Sequence, residues 1–408
     1  MLDRIVVIHD RIEARGGATH LARLSAIQYR KLGHPVTYIT GAKDDASLDE
    51  YGITTLSVGQ SGLSEGRTGR AALGGIYNQK AVQLISDWIA EHDTPNTAYH
   101  LHNWAQILSP GVFRSLEPVA ARTVVSCHDF FNVCPNGGLL HFPSGRPCEL
   151  KPMSAACWRS QCDRRSAADK YWRVLRHASL QKMARFNDSE MTFVCLHEGM
   201  EKIMRSAGFS PPRLFSIPNP ATAYASARVR AEDNASFLYI GRLSREKGAD
   251  LAYDVARQAK IPMTFVGEGE LFDALTPECG NIKFAGFCDR GQLSEYAKSA
   301  RAVIVPGRWR EPYGLVVAEA ALSGIPVIIS EPSSLASKVD ELKFGQVFDP
   351  FEEGSLLKLI LEWRDDDALI KRMSESAFNN AGEICSSEEG WGQSFVDLMQ
   401  DRIRTSLT

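Results

Sequence analysis

The sequence predicts an α/β protein of two Rossmann-like domains, each a parallel sheet covered by helices, with the two sheets facing a central cleft. Three observations predict it. Short β-branched runs alternate with amphipathic helical stretches through the first half. After a polar, Pro/Ala-rich connector at 218–233 the same alternation restarts. A chain of 408 residues is also long for one core and suits two. Alternation of this kind points to parallel sheets covered on both faces.

In the first half, 4–9 reads as a strand that runs into Gly16-Gly17 and an amphipathic helix at 18–32, stopped by Gly33-His34-Pro35. Segments 36–40, 97–101, 123–126, 192–196 and 214–217 continue the sheet, with helical stretches near 76–91 and 167–186 between them. In the second half, strands are expected at 237–241, 263–267, 282–286, 302–306 and 326–330, with a helix near 249–258. The expected domains are therefore 1–228 and 229–384, followed by a C-terminal helix within 385–408.

Composition excludes several classes. The apolar fraction is 44% and the charged fraction 23%, as in ordinary globular proteins. No apolar run approaches the ~18–20 residues needed to span a bilayer. The N-terminus enters a strand directly, without the shape of a signal peptide, so the expectation is a cytoplasmic protein. The net charge of −3 hides an asymmetry: residues 1–225 hold 25 Lys and Arg against 20 Asp and Glu, and the remainder 21 against 29. The two halves should therefore meet different partners. Neither has the dense basic patch and reader motif of a nucleic-acid binder.

The chemistry concentrates in Glu311-Pro-Tyr-Gly-Leu-Val-Val-Ala-Glu319, between two strand-like runs. A helix beginning at Gly314-Leu315 leaves backbone N–H groups unpaired and carries partial positive charge, which suits a phosphate. Glu311 precedes that terminus and Glu319 follows it by about a turn and a half. Two acids so placed are suited to gripping hydroxyls on either side of a diphosphate, as in a nucleotide-sugar. Arg242 and Lys247, in the loop after the strand at 237–241, supply a bidentate and a mobile cation for the phosphates. Such cations, with N–H dipoles, stabilise a departing diphosphate without a metal ion.

On Gly16-Gly17, the Gly241-Arg242…Glu246-Lys247-Gly248 segment, Val266-Gly267-Glu268-Gly269 and the Glu311…Glu319 pair, in that order, the chain resembles the retaining GT-B glycosyltransferases of the glycosyltransferase family 4 type. The resemblance implies that Arg242 and Lys247 neutralise the donor diphosphate and that Gly314 and Leu315 offer it backbone N–H groups. It implies Glu311 on the transferred sugar, Glu319 on the ribose, Phe287 at the nucleobase, Gly16-Gly17 as a point of close backbone approach to the donor, and Gly267 among the donor-binding residues. It also implies that the final helix returns to the N-terminal domain. The donor would be a nucleotide-diphosphate sugar such as a UDP- or GDP-sugar, and no cofactor is required. The implied activity is transfer to a hydroxyl of a glycan or lipid-linked glycan in cell-surface polysaccharide or lipopolysaccharide assembly. A nucleotide-sugar epimerase or hydrolase and a donor-binding scaffold without turnover are the rival readings. After Ser330 the Gly-rich turn and acid common in the family are replaced by Glu331-Pro-Ser-Ser-Leu, so no contact is carried over there.

In the first half, His128 ends the strand at 123–126 and takes the family's sugar- or acceptor-contacting role, a capping or core histidine being the alternative. Asp129 beside it reads as a base or a turn cap. His100 and His102 end the preceding strand and are expected to alternate faces, leaving at most one at the site. Cys134, Cys148, Cys157 and Cys162 cluster in the loop 131–165 with a Cys-x13-Cys-x8-Cys-x4-Cys spacing. That spacing lacks the paired knuckles of common zinc folds, and leaves a structural zinc, free thiols or a disulfide open. Residues 164–185 interleave seven Lys and Arg with Tyr171, Trp172, Leu175 and Leu180. They read either as a helix packed on the sheet or as a basic-aromatic surface for anionic lipid on the inner face of the plasma membrane.

Overall fold

The structure is a computed structural model that describes residues 2–13, 16–63, 69–275 and 280–406. It contains two all-parallel sheets, as predicted. The first sheet comprises β1 (Arg4–His9), β2 (Val36–Thr40), β3 (Thr54–Ser57), β4 (Thr97–Leu101) and β5 (Thr123–Ser126). A two-stranded hairpin follows, β6 (Leu140–His141) and β7 (Arg146–Pro147), before β8 (Thr192–Cys195) and β9 (Leu214–Ser216) complete that sheet. The second sheet comprises β10 (Ser236–Ile240), β11 (Met263–Val266), β12 (Ile282–Gly286), β13 (Ala300–Val305), β14 (Val327–Ser330) and β15 (Gly345–Phe348).

Strand orders are β3-β2-β1-β4-β5-β8-β9 and β12-β11-β10-β13-β14-β15. Each runs outward from its first strand and then reverses, so the switch points lie between β1 and β4 and between β10 and β13. Ligands of doubly wound sheets bind beyond the carboxyl ends of the strands at such points. The residues there are His9-Asp10 and His102 in the first sheet, and Gly241-Arg242 and the segment from Pro306 in the second. The strand positions follow from burial: every residue of β2, β4, β5 and β8 is buried, the two-face pattern of a covered parallel sheet.

The chain divides into two compact units, one of residues 1–138, 150–218 and 388–408, the other of 139–149 and 219–387. The boundary falls at 218/219, ten residues before the position read from the connector. The final helix, Glu388–Ser406, belongs to the first unit, where Trp391, Phe395, Val396, Met399 and Ile403 join Leu21, Ala22 and Tyr29 in one buried cluster. The second unit has its own core around Phe265, Tyr253 and Trp363. The hairpin β6–β7 interrupts the cysteine-containing loop and clusters with the second unit, where Arg146 lies 4.4 Å over Phe351 and Glu149 pairs with Arg310. Among the described residues no helix is long and apolar enough to cross a membrane.

The hairpin, β3 and β15 are absent from the sequence reading. β3 is Thr-Thr-Leu-Ser, with no buried alternation, and β15 begins with a glycine. Both are edge strands, where the sheet supplies the register that side-chain pattern does not.

Glycines set the closest contacts in the second sheet. A Cβ on Gly267 (φ 130°) would stand 2.1 Å from the Gly241 carbonyl oxygen, and one on Gly248 (φ 72°) 2.0 Å from that of Pro306. Neither backbone carbonyl can swing away without breaking the loop. Gly267→Ala and Gly248→Ala are each expected to cost at least about 2 kcal/mol, whereas Gly382→Ala, facing open space, should stay within about 0.5 kcal/mol. Urea midpoints of the three variants against the parent check this.

Candidate functional site

In the second unit the site is assembled from the loops after β10 and β13. Gly248, in the left-handed region, starts the helix Ala249–Ala259 and lets the preceding loop press against the end of β13. Arg308 laces the same junction, donating to the Arg245 carbonyl at 2.8 Å and to Asp250 at 2.7 Å. Lys247 is thereby delivered to Glu311, its Nζ lying 2.5 and 2.7 Å from the two carboxylate oxygens. Trp309 closes the pair: its ring lies 4.9 Å from Lys247 Nζ and its indole N–H donates to Glu311 at 3.3 Å. Arg242 approaches Glu246 only at 4.0 Å and leaves 65% of its side chain in solvent.

Gly314 (φ 93°) caps the helix Leu315–Leu322, whose start falls at the predicted position. Glu319 on that helix accepts from the Tyr224 hydroxyl at 2.9 Å and from Arg290 at 3.3 Å. Arg290 also donates to the carbonyls of Thr222 and Ala223 at 2.6 and 3.0 Å, so it ties the connector to the carboxylate. Burial pushes the Glu319 carboxyl above its ordinary range, opposed by Tyr224 and Arg290. Sequence reasoning missed both partners, because Tyr224 sits in what looks like a linker and Arg290 opens a surface helix. Phe287 follows Gly286 (φ 67°) at the end of β12 and is 80% exposed, free to stack on a flat ligand. Gly267 has a packing explanation in the contact with Gly241.

In the first unit Gly16 (φ 89°) precedes the helix Gly17–Lys31, and nothing stands within 4 Å of where its Cβ would be. Asp10, at the end of β1, accepts three backbone N–H bonds, from Gln106 at 2.6 Å and from Ile107 and Leu108 at 2.8 Å each. It shapes the turn after β4 and is a third residue the sequence reading passed over. Its signal was legible: an acid just past the end of a strand whose middle, Ile5–Ile8, is wholly apolar. His9 accepts from the Asn103 backbone N–H at 3.1 Å and meets Thr19 at 3.1 Å.

His128 and His102 meet at 2.7 Å between Nε2 and Nδ1. The expectation that His100 and His102 lie on opposite faces is wrong. Strand side chains repeat every two residues, so these two share a face, and their ring centroids are 4.0 Å apart. Asp129 accepts from the Phe131 backbone N–H at 2.9 Å, the turn-capping alternative.

The four cysteines of the loop divide between the two units. Cys134, Cys157 and Cys162 are buried in the first unit, whereas Cys148 falls in the segment that clusters with the second. Lys170, only 1% exposed, donates to Cys162 at 3.1 Å and approaches Cys157 at 3.7 Å. Burial works against its charge, but the three thiols together hold its pKa above the ordinary value. An ammonium so placed competes with a metal cation, and among the described residues no group of three or more His, Cys, Asp or Glu is arranged to hold one.

The basic segment is also thinner than its composition suggests. On the helix Ala167–Ala184, Lys170 faces the thiols and Arg173 pairs with Asp163 at 2.9 Å. Arg176 is buried against the carbonyls of Gly75 and Ala105. Arg164, Arg165, Lys182, Tyr171 and Leu175 remain exposed.

Residues 223–380 match the family Glycosyl transferases group 1. Two curated relatives are a glycogen synthase of Mycobacterium tuberculosis, 29% identical over 35% of this chain and 37% of its own length, and the O-antigen chain mannosyltransferase C of Escherichia coli, 23% identical over 37% and 43%. The chain thus spans less than half the length of these relatives. Among solved structures, sucrose-phosphate synthase of Thermosynechococcus elongatus superposes with a TM-score of 0.73 at 16% identity, over 99% of this chain and all of that one. HepE of Anabaena, solved in complex with UDP-glucose, gives a TM-score of 0.65 at 15% identity, over 98% and 99%. At these identities the structural likeness establishes the GT-B fold.

The histidines make stability depend on pH. Burial is the main cause of every shift: it lowers His9 to about 3, His128 and His177 to about 4, and His100 and His102 well below the ordinary value. In the unfolded chain each titrates near ~6.5, so below that pH the unfolded state takes protons that the fold refuses. Asp10 and Asp129, pushed up to about 6 mainly by burial, act oppositely, holding a proton when folded that the unfolded chain has released. Five imidazoles outweigh two carboxyls in the shared window. The first unit is expected to lose several kcal/mol between pH 7.5 and pH 5, read as a falling urea midpoint.

Proposed function

We propose that the protein is a retaining glycosyltransferase that moves a sugar from a nucleotide-diphosphate sugar to a hydroxyl of a glycan or lipid-linked glycan in cell-surface polysaccharide or lipopolysaccharide assembly. The observation that carries the proposal is the Lys247–Glu311 pair. It sets a cation and a carboxylate at a sheet switch point, beside a helix N-terminus and the exposed Arg242. The group 1 family match and the UDP-glucose complex of HepE support a nucleotide-sugar donor.

In this reading the donor diphosphate draws Lys247 and Arg242, with the N–H groups of Gly314 and Leu315 completing its cradle. Lys247 shares itself between phosphate and Glu311, which turns its second oxygen to the sugar hydroxyls. Glu319 takes the ribose hydroxyls and Phe287 the base. The anomeric carbon–oxygen bond to the diphosphate breaks with its electron pair leaving on the phosphate oxygen, where the cations stabilise it. The acceptor hydroxyl forms the new bond on the same face and gives its proton to the departing diphosphate, so the anomeric configuration is retained without an enzyme nucleophile. His128 holds a sugar or acceptor hydroxyl.

Arg242→Ala and Lys247→Ala are each expected to lower kcat/KM by about 10²–10³-fold. Glu319→Ala should chiefly weaken donor binding, by roughly tenfold. A thermal-shift and turnover panel of UDP-, GDP- and ADP-sugars, with and without acceptor glycans, tests the reading. If no nucleotide raises the melting temperature, or Glu311→Ala and Arg242→Ala turn over like the parent, the reading fails. Turnover without acceptor would favour a hydrolase or epimerase.

A lipid-linked acceptor gives the exposed Tyr171 and Leu175, flanked by Arg164, Arg165 and Lys182, a role as a peripheral membrane contact. With so few outward cations, sedimentation with anionic vesicles is expected at low salt and should vanish by about 1 M salt. Absence of binding at low salt removes this contact.

A further inference from the structure

We infer that His102 and Ser25 are positioning residues that lock His128 in its Nε2–H tautomer, so that the ring presents a bare Nδ1, a hydrogen-bond acceptor, to a ligand hydroxyl. The inference rests on the reading above that His128 meets a sugar or acceptor hydroxyl.

Geometry defines the contact. The His102 and His128 rings are 9° from coplanar with centroids 5.0 Å apart, and Nδ1 of one is 2.7 Å from Nε2 of the other. Stacked faces would not bring two nitrogens that close at that centroid distance. The rings meet edge to edge, and because ring N–H bonds and lone pairs lie in the ring plane, this is one in-plane N–H···N hydrogen bond. It needs one hydrogen and one lone pair. Burial keeps both imidazoles uncharged, so neither can donate from both nitrogens.

Ser25 settles which ring donates. Its hydroxyl gives its proton to the Ala22 carbonyl at 2.8 Å, one turn back along the helix Gly17–Lys31. That leaves an oxygen lone pair 3.1 Å from His102 Nε2, so His102 carries its hydrogen there and donates to Ser25. A neutral imidazole has a single N–H, so His102 Nδ1 accepts. His128 Nε2 must then donate, and its Nδ1 is left bare. His100 does not interrupt the chain, being held by Tyr29 at 2.8 Å and Ser126 at 2.8 Å. His102 is buried, whereas His128 keeps partial exposure and its Nδ1 has no hydrogen-bond partner among the described residues. Such a nitrogen takes a hydrogen bond from an alcohol and rejects a group that offers only a lone pair.

Ser25→Ala removes the acceptor for His102 Nε2–H. The cheaper arrangement then moves that hydrogen to Nδ1, which turns the contact round and leaves His128 protonated on Nδ1. Ser25→Thr keeps the hydroxyl. Long-range proton–nitrogen correlation spectra of histidine-labelled enzyme read the tautomers directly, with His128 assigned by its loss in His128→Asn. The expected result is His128 as Nε2–H in the parent and Ser25→Thr, and as Nδ1–H in Ser25→Ala, with kcat/KM about 10–100-fold lower only in Ser25→Ala. An Nδ1–H tautomer at His128 in the parent, or no change in Ser25→Ala, overturns the inference. Tautomers as expected with full turnover in His128→Asn would overturn the hydroxyl-contacting role of His128 and leave the lock in place.

Discussion

The second unit depends on a backbone contact with no room for a side chain. Gly248 lies against the Pro306 carbonyl so closely that a Cβ would stand 2.0 Å from that oxygen. This contact joins the loops that leave β10 and β13, the two strands flanking the switch point. Lys247 precedes Gly248, and Glu311 lies five residues after Pro306, so the contact sets the distance between the two charges. Gly267 against Gly241 repeats the device one strand over. Gly248 and Gly267, which mark the motif in sequence, thus do their work on the protein's own backbone.

A half-buried ion pair is a poor source of stability, since desolvation offsets much of its attraction. Its value at Lys247–Glu311 is readiness. The pair holds each partner in place, with the Trp309 ring limiting the water that would screen them. In the proposed reading an incoming polyanion meets a cation already positioned, which it then shares with the carboxylate. Glu319 is prepared differently, by a phenol and a guanidinium that is itself anchored on two carbonyls. That anchorage makes the connector part of the site.

The sheets were legible because a strand buried on both faces leaves little freedom in sequence. The helix start between Glu311 and Glu319 was legible because Gly314 marks its cap. Edge strands β3 and β15 were not, because neighbours impose their pairing. Tyr224 and Arg290 were hidden because their role is relational: nothing in a linker tyrosine announces a carboxylate 95 positions later. The misplacement of His100 and His102 has another cause, a period-two rule applied with the wrong parity. The basic stretch misled through composition, since three of its seven cations turn inward to thiols, an acid and carbonyls.

The two units prepare their edges in opposite electrostatic states, and the proposed chemistry asks for that difference. A diphosphate is a permanent anion, best met by groups charged before it arrives, such as Arg242 and Lys247. A hydroxyl is neutral and is distinguished only by the direction of its hydrogen, so the group that meets it must itself be directional and uncharged. Charged imidazole donates from both nitrogens and loses that discrimination. Burying His9, His100, His102 and His128 together suppresses the charge on each by removing water, and at His9, His100 and His102 a proton on a neighbouring imidazole adds repulsion. The cost is acid sensitivity. What it secures is a histidine edge whose hydrogen-bond polarity is set from inside the fold, through Ser25 on the first helix, rather than by the pH outside.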